Sequence, residues 1–396
     1  MSNPSIALGQ RTIADPSVLV LALTTFAIGL SEFIVIGLMG QITGDLGATL
    51  SSGSWLVAAY ALGISVGSPL LAFLSLGLSA RRLSVMLIGG FTILSLGCAL
   101  APTMGWMIAF RALAGGLHGA FFTVTTASLP SLFDERRAPM ALALMFSGLT
   151  VAMVLGVPMG MALAGSFGWP LPFILIALCS AMGAVLLSQV LPQDFGQSQT
   201  PRIRLLRQAA LRADLLWPYG FTVFGFGGGF AFLTYAEAWL TLQAGLPASV
   251  ARGMLGVVGL GALAGNVLGG ALPQVLGRPQ ALLLAVAAQL LGLALLPMAS
   301  GIAAIALALL SWSMGAFASA PMVHSWAIDI SRDTNARIAA SFNVTAFNTG
   351  LSISAMIAGW QLAAGAGVQS LPLTALVLVA PALAIALGFA AMTRPR

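Results

Sequence analysis

The sequence predicts an all-α membrane protein of twelve transmembrane helices in two pseudo-symmetric six-helix bundles, with both termini cytoplasmic. Three observations carry this. Of 396 residues, 59% are hydrophobic and only 7% charged, whereas a soluble domain needs roughly 25% charged residues to cover its surface. The chain divides into apolar runs long enough to span a bilayer, which takes about 20 residues each. The arginines gather on one side of those runs.

Taken in order, the runs are 17–42, 52–75, 83–101, 104–129, 139–165, 168–190, 215–243, 248–274, 279–298, 301–328, 337–362 and 369–391. The one long polar stretch, 191–214, holds Arg202, Arg204, Arg207 and Arg212. It reads as a linker, giving an N-terminal bundle at 1–191, a cytoplasmic linker at 192–214 and a C-terminal bundle at 215–396. Residues 1–17 are polar and lack the pattern of a cleaved signal, so the first run is expected to be kept as a span. The 46 Gly and 20 Pro suit close packing and bending of helices in lipid. Cys98 and Cys179 lie inside apolar runs and read as small buried hydrophobes.

The chain has 16 Arg and no Lys. With the N-terminus inside, fourteen fall on the cytoplasmic side: Arg11, Arg81, Arg82, Arg136, Arg137, the four linker arginines, Arg278, Arg332, Arg337, Arg394 and Arg396. Arg252 falls outside and Arg111 within a span. This is the positive-inside bias. The net charge of +6 therefore records orientation and does not call for nucleic acid.

Four segments carry a resemblance. Residues 107–122 read MIAFRALAGGLHGAFF and resemble the fourth-helix Arg motif of major facilitator proteins, with Arg111 and Gly115 in place. Residues 148–160, GLTVAMVLGVPMG, are similar to the fifth-helix antiporter motif, through Gly148, Gly156, Pro158 and Gly160. Residues 342–350, FNVTAFNTG, and 31–47, SEFIVIGLMGQITGDLG, resemble the eleventh and first helices of the bacterial arabinose, purine and drug efflux branch. The loop between helices two and three keeps Arg81 and Arg82 of the family pattern but has Gly77 in place of its Asp. The matching loop of the second half keeps Gly270, Leu272, Gly277 and Arg278, with Gln274 in place of the acid, and Pro170 stands where the branch has Arg. The resemblance implies a multi-pass transporter of the bacterial cytoplasmic (inner) membrane, and a monomer is expected because nothing in the sequence indicates an obligate oligomer. The same resemblance implies proton-driven export of a small organic solute (drug, sugar or nucleoside class), with no cofactor. Import by proton symport or facilitated diffusion is the alternative.

Charges within the runs mark the candidate machinery. An ionisable residue at mid-membrane costs about 2.5–3.5 kcal/mol on insertion scales and usually marks a pathway, relay or paired site. Glu32 lies about eleven residues before the outer end of the first helix, and Arg111 about seven residues into the fourth. At 1.5 Å per residue both sit roughly 10–16 Å below the outer face. They are expected to share one cavity, with Glu32 as proton site; a static ion pair is the plainer alternative. Arg111, Gly115, His118, Phe122 and Thr125 recur on one helical face. His118 there either relays protons or bonds a neighbouring helix.

Candidate substrate residues come from three helices. On the eleventh, Ser341, Thr345, Asn348 and Ser352 share a face, with Asn348 and Thr345 as substrate contacts. Asn343 lies roughly 140° around that helix and is expected to bond a neighbouring helix. Phe122 and Thr125 supply the fourth-helix wall. On the seventh, Thr234, Glu237 and Thr241 form a polar stripe beside Tyr235; Glu237 either attracts cations or is an interfacial residue. Asp329 is expected to pair with Arg332 or Arg337 at the surface.

Other classes are disfavoured. Gly63-Ile-Ser-Val-Gly67 matches G-x-S-x-G, but that motif acts at a strand-to-helix turn and here falls inside a helix, where the glycines read as packing. No phosphate-binding G-x-x-x-x-G-K-[ST] loop occurs in the sequence. An enzyme is not expected.

Overall fold

The computed structural model describes residues 15–74, 78–134, 137–193, 195, 212–331 and 336–392, and among these the secondary structure is entirely helical. Most of the 192–214 linker, with Arg202, Arg204 and Arg207, lies outside the described residues. So do Arg11, Gly77, Arg136, Arg332, Arg394, Arg396 and the side chain of Arg337.

Helices α1 (Pro16–Asp45), α2 (Ser54–Leu74), α3 (Ala80–Ala99) and α4 (Met104–Ser128) follow one another. The fifth run is α5 (Ala138–Val151), a π turn (Ala152–Gly156) and α6 (Val157–Phe167), followed by α7 (Pro170–Val190). The seventh run is broken: α8 (Leu216–Phe221), a π turn (Thr222–Phe226), a 3₁₀ turn (Gly227–Gly229), α9 (Phe230–Leu233), α10 (Ala236–Ala238) and a second π turn (Trp239–Gln243). Then come α11 (Ala248–Leu276), α12 (Arg278–Leu295), α13 (Ile302–Ile330), α14 (Ala336–Ala363) and α15 (Leu371–Met392). Among the described residues, ten stretches are long and apolar enough to cross a membrane. The two expected spans outside that set are the broken seventh run and α14, which carries Asn343, Thr345, Asn348, Thr349 and Ser352.

Local chemistry explains the ends and breaks. The Asp15 carboxylate accepts from the Ser17 amide at 2.8 Å, and Pro16 sits at a position where no N–H is needed. Pro158 has no N–H to donate back along the helix, and the backbone widens into a π turn just before it. At Gly227 a Cβ would lie 2.7 Å from the Gly350 backbone, so only glycine allows the seventh run to cross α14 so closely. The fully buried Gln289 of α12 donates to the Gly225 carbonyl at 2.6 Å, serving a backbone group at the break.

Packing repeats in the two halves. In the first, α2 packs on α4, α3 on α4 and α7, and α1 on α5 and α7; in the second, α11 packs on α13, α12 on α13 and α15, and α14 on the pieces of the seventh run. Between halves, α2 packs on α14, while the Ala152–Gly156 turn and α6 pack on α11. Small residues set these distances. A Cβ on Gly63 would lie 2.1 Å from the Ala112 carbonyl oxygen and one on Gly67 2.4 Å from the Gly116 backbone, so the G-x-S-x-G stretch is a packing face. Its Ser65 hydroxyl lies 3.4 Å from that of Thr349.

The halves are latched at one end. The Tyr235 hydroxyl donates to the Ser51 carbonyl at 2.9 Å and receives the Ser54 amide at 3.2 Å. Gly359 lies against Ser54, and the Arg252 guanidinium against Gly165. At mid-depth the Ser352 hydroxyl donates to the Ala58 carbonyl at 3.1 Å. At the opposite end Asp329 pairs with Arg278 at 2.5 Å, because α12 begins where α13 ends; the pairing expected with Arg332 or Arg337 lies outside the described residues.

Candidate transport site

The site is built where α1, α2 and α4 cross. Arg111 is 1% exposed, and its donors go to backbone oxygens. Nε donates to Leu56 at 2.9 Å, Nη1 to Ser31 at 2.6 Å and Nη2 to Glu32 at 3.5 Å. The guanidinium carbon lies 4.0 Å from the centre of the Tyr60 ring. A permanently charged group with five donors is tolerated in this interior because carbonyl dipoles and an aromatic face surround it. One side chain thereby ties three helices together.

Glu32 is only half-buried, and the ion pairs of the described residues do not include it. It lines a pocket with Tyr60 and Arg111 of the first half and Phe230 and Leu351 of the second. About 10 Å³ there is open to the centre of a water molecule, which is room for one water. The structure thus brings Glu32 and Arg111 to one pocket without pairing their charged groups, since the guanidinium is already occupied by carbonyls.

His118 follows on α4. Its Nδ1 lies 3.1 Å from the Tyr60 hydroxyl, and its ring centre is 4.9 Å from that of Phe122, which stacks on Phe146. Thr125 is buried and spends its hydroxyl on the Phe121 carbonyl at 2.8 Å. On α14, Asn348 is 2% exposed; its amide donates to Val344 at 3.0 Å, and its Oδ1 is buried without a partner. Thr345 is half-buried on the side that meets Ser65. Asn343 accepts from the Thr222 hydroxyl at 2.7 Å, the cross-helix bond expected of it. Tyr235 and Glu237 lie at the latched end, apart from the Glu32 pocket. Tyr60 carried no assignment from the sequence, although it shares with Gly63 and Gly67 the α2 face that meets α4.

The sequence profile described as Major Facilitator Superfamily matches residues 21–355. The chain belongs to that superfamily. This facilitator is 29% identical over 367 residues to the Escherichia coli (strain K12) "Inner membrane transport protein YdhP", covering 92% of this chain and 93% of that protein. It is 26% identical over 251 residues to a Mannheimia succiniciproducens protein named "Probable sugar efflux transporter", covering 63% of each. The crystal structure of a bacterial homologue of the human lysosomal transporter Spinster superposes with a TM-score of 0.76 at 14% identity, covering 96% of this chain and 97% of that one. The facilitator is a multi-pass membrane transporter of a small solute and not an enzyme.

Its motif residues occupy helix contacts and ends. A Cβ on Gly148 would lie 2.2 Å from the Ala22 carbonyl oxygen, one on Gly156 3.2 Å from Leu30 and Phe26, and one on Gly160 2.7 Å from Ile34, so this row presses on α1. Pro158 lies beside Gly256 of α11. Arg81 donates to the Ser188 carbonyl of α7, and Arg82 is exposed. Gly277 turns from α11 to α12 at φ +80°, a conformation that favours glycine, while Gly270 is exposed on α11.

Proposed function

We propose that this facilitator is a proton-coupled antiporter that exports a small organic solute (drug, sugar or nucleoside class) across a bacterial cytoplasmic membrane. It works by alternating access between halves 1–191 and 215–396, each of six spans, with both termini inside. The observation that carries this reading is the Glu32 carboxyl, half-buried and unpaired among the described residues, in a pocket walled by both halves. Gaining a proton changes the charge of that pocket by one unit, next to a guanidinium whose charge is fixed. Conformations that hydrate the pocket and those that bury it respond differently to that change, so proton occupancy biases which is populated. The arginine distribution supports a reading with the latched end outside, in which this is the inward-facing state. The half-buried Thr345 and Phe122 stand on the solute's path from the inside, with the buried Asn348 and Thr125 behind them, and His118 connects it to Tyr60. The export direction is supported by the fifth-helix motif and the efflux relative.

Inverted vesicles with an acid interior are expected to accumulate the transported member of a panel of sugars, nucleosides and drugs. Glu32→Gln is expected to abolish that accumulation while solute counterflow continues. Accumulation driven by external acid in right-side-out vesicles would establish import instead. Undiminished accumulation by Glu32→Gln would remove Glu32 from the coupling.

The latch makes a separate prediction. Tyr235→Phe leaves the Ser54 amide and Ser51 carbonyl without their shared partner, a loss of about 1 kcal/mol and so roughly a fivefold change in population. Thiol labelling of Val57→Cys, at the pocket, is expected to rise severalfold in that variant. An unchanged rate would mean the phenol does not hold this end shut.

A further inference from the structure

The Tyr60 side chain touches both the Arg111 guanidinium and His118. Its position is fixed by backbone: a Cβ on Gly115 would lie 2.0 Å from the Tyr60 carbonyl oxygen, so α2 and α4 meet directly there. Arg111 lies one turn to one side of Gly115 and His118 one turn to the other. The Tyr60 ring fills the space between them, 1% exposed, with its face under the guanidinium and its hydroxyl on Nδ1 of His118.

The two ends of this side chain do different chemistry. The ring face holds a cation and needs no hydroxyl. The buried hydroxyl needs a partner, and a single hydrogen is shared across the bond to Nδ1. Either the phenol donates to an unprotonated Nδ1, or a protonated Nδ1 donates to the phenol oxygen. The position of that hydrogen thus follows whether Nδ1 bears a proton, and so the tautomer and charge of the imidazole. We propose that Tyr60 is a positioning residue that couples Glu32 to His118: its ring seats Arg111 beside the proton site, and its hydroxyl carries the state of that seat to His118, toward the unlatched end. This rests on the reading of Glu32 as the proton site. The titratable and charged groups facing Tyr60 are Glu32 from α1, Cys98 from α3, and Arg111 and His118 from α4. α5 carries no charged residue, and Phe230 and Leu351 complete the pocket wall.

The test uses the purified full-length chain and protons alone. Spin labels at Ser131 and Val275, both exposed near the unlatched end of their halves, report the inward-to-outward ratio against pH with Cys98 and Cys179 replaced by alanine. Tyr60→Phe and His118→Gln are each expected to move the midpoint in the same direction by about one pH unit, a tenfold change in proton affinity. The double variant is expected to move it no further. Tyr60→Leu, which also removes the Arg111 seat, is expected to lose the pH response. A wild-type midpoint in Tyr60→Phe, or shifts that add in the double variant, would overturn the coupling role while Glu32→Gln still abolished the response. A normal response in Glu32→Gln would overturn the Glu32 reading, and this proposal with it.

Discussion

Arg111→Leu is expected to leave almost no folded protein in detergent extracts, and Arg111→Lys to give folded protein that transports at least about tenfold more slowly. Leucine removes the donors that the Leu56, Ser31 and Glu32 carbonyls accept in addition to their own helical N–H groups, and a hydrogen bond to a charged group contributes about 1.5–3 kcal/mol. Two well-made bonds and one long one sum to about 3–5 kcal/mol, a large part of the roughly 5–15 kcal/mol that holds a typical protein folded. Lysine restores the charge but as a single point with three donors on one nitrogen. It can reach one helix of the pair, α1 or α2, and cannot bind both while lying flat on Tyr60. Chromatographic yield and thermal unfolding separate the two variants. If Arg111→Leu yielded protein as stable as the wild type, the carbonyl clasp would contribute nothing to assembly.

That Glu32 and Arg111 meet at one level of the bundle was legible, because a charge inside an apolar run is visible in the sequence and helix rise converts position into height along the helix. Their relation was not legible. Which acceptor a guanidinium finds depends on where backbones cross, and here the Leu56 carbonyl of α2 and the Ser31 and Glu32 carbonyls of α1 lie within its reach. Tyr60 was missed for the same reason: an aromatic in an apolar run looks like packing until its hydroxyl is seen on His118. Asn343 and Asn348 separated correctly, because α14 is regular and 100° per residue puts them on different faces. The stripe of Thr234, Glu237 and Thr241 relied on that regularity where it fails. Tyr235 has φ −119° and ψ 19°, outside the helical range. The break there puts Tyr235 in the latch and buries Thr234 with its hydroxyl unpaired. Hydropathy averages over such breaks, so the seventh run read as one continuous helix. The G-x-S-x-G glycines, by contrast, were readable as packing, since a spacing of about one helical turn exposes Gly63 and Gly67 to the same neighbour.

Gly115→Ala is expected to cost the transporter most of its folded population, whereas Gly89→Ala on α3 costs nothing. An added methyl at Gly115 would lie 2.0 Å from the Tyr60 oxygen, 2.8 Å from its carbonyl carbon and 3.1 Å from its Cα. These are backbone atoms and cannot rotate aside, so α2 and α4 must separate. The separation would be felt at Gly63, Gly67 and Gly119, whose own Cβ positions meet the opposing helix within 2.1 to 2.4 Å or, at Gly119, the Ser68 hydroxyl at 2.3 Å. It would also lift the Tyr60 ring from Arg111 and draw its hydroxyl from His118. At Gly89 no atom lies within 4 Å of the added methyl, and alanine is the better helix former by roughly 0.8–1.0 kcal/mol. Size-exclusion profiles and melting temperatures of the two variants, compared side by side, therefore isolate contact from propensity. Equal melting temperatures would mean that the α2–α4 crossing is looser than drawn, and a Tyr60 held only by that crossing could not keep Arg111 and His118 in register.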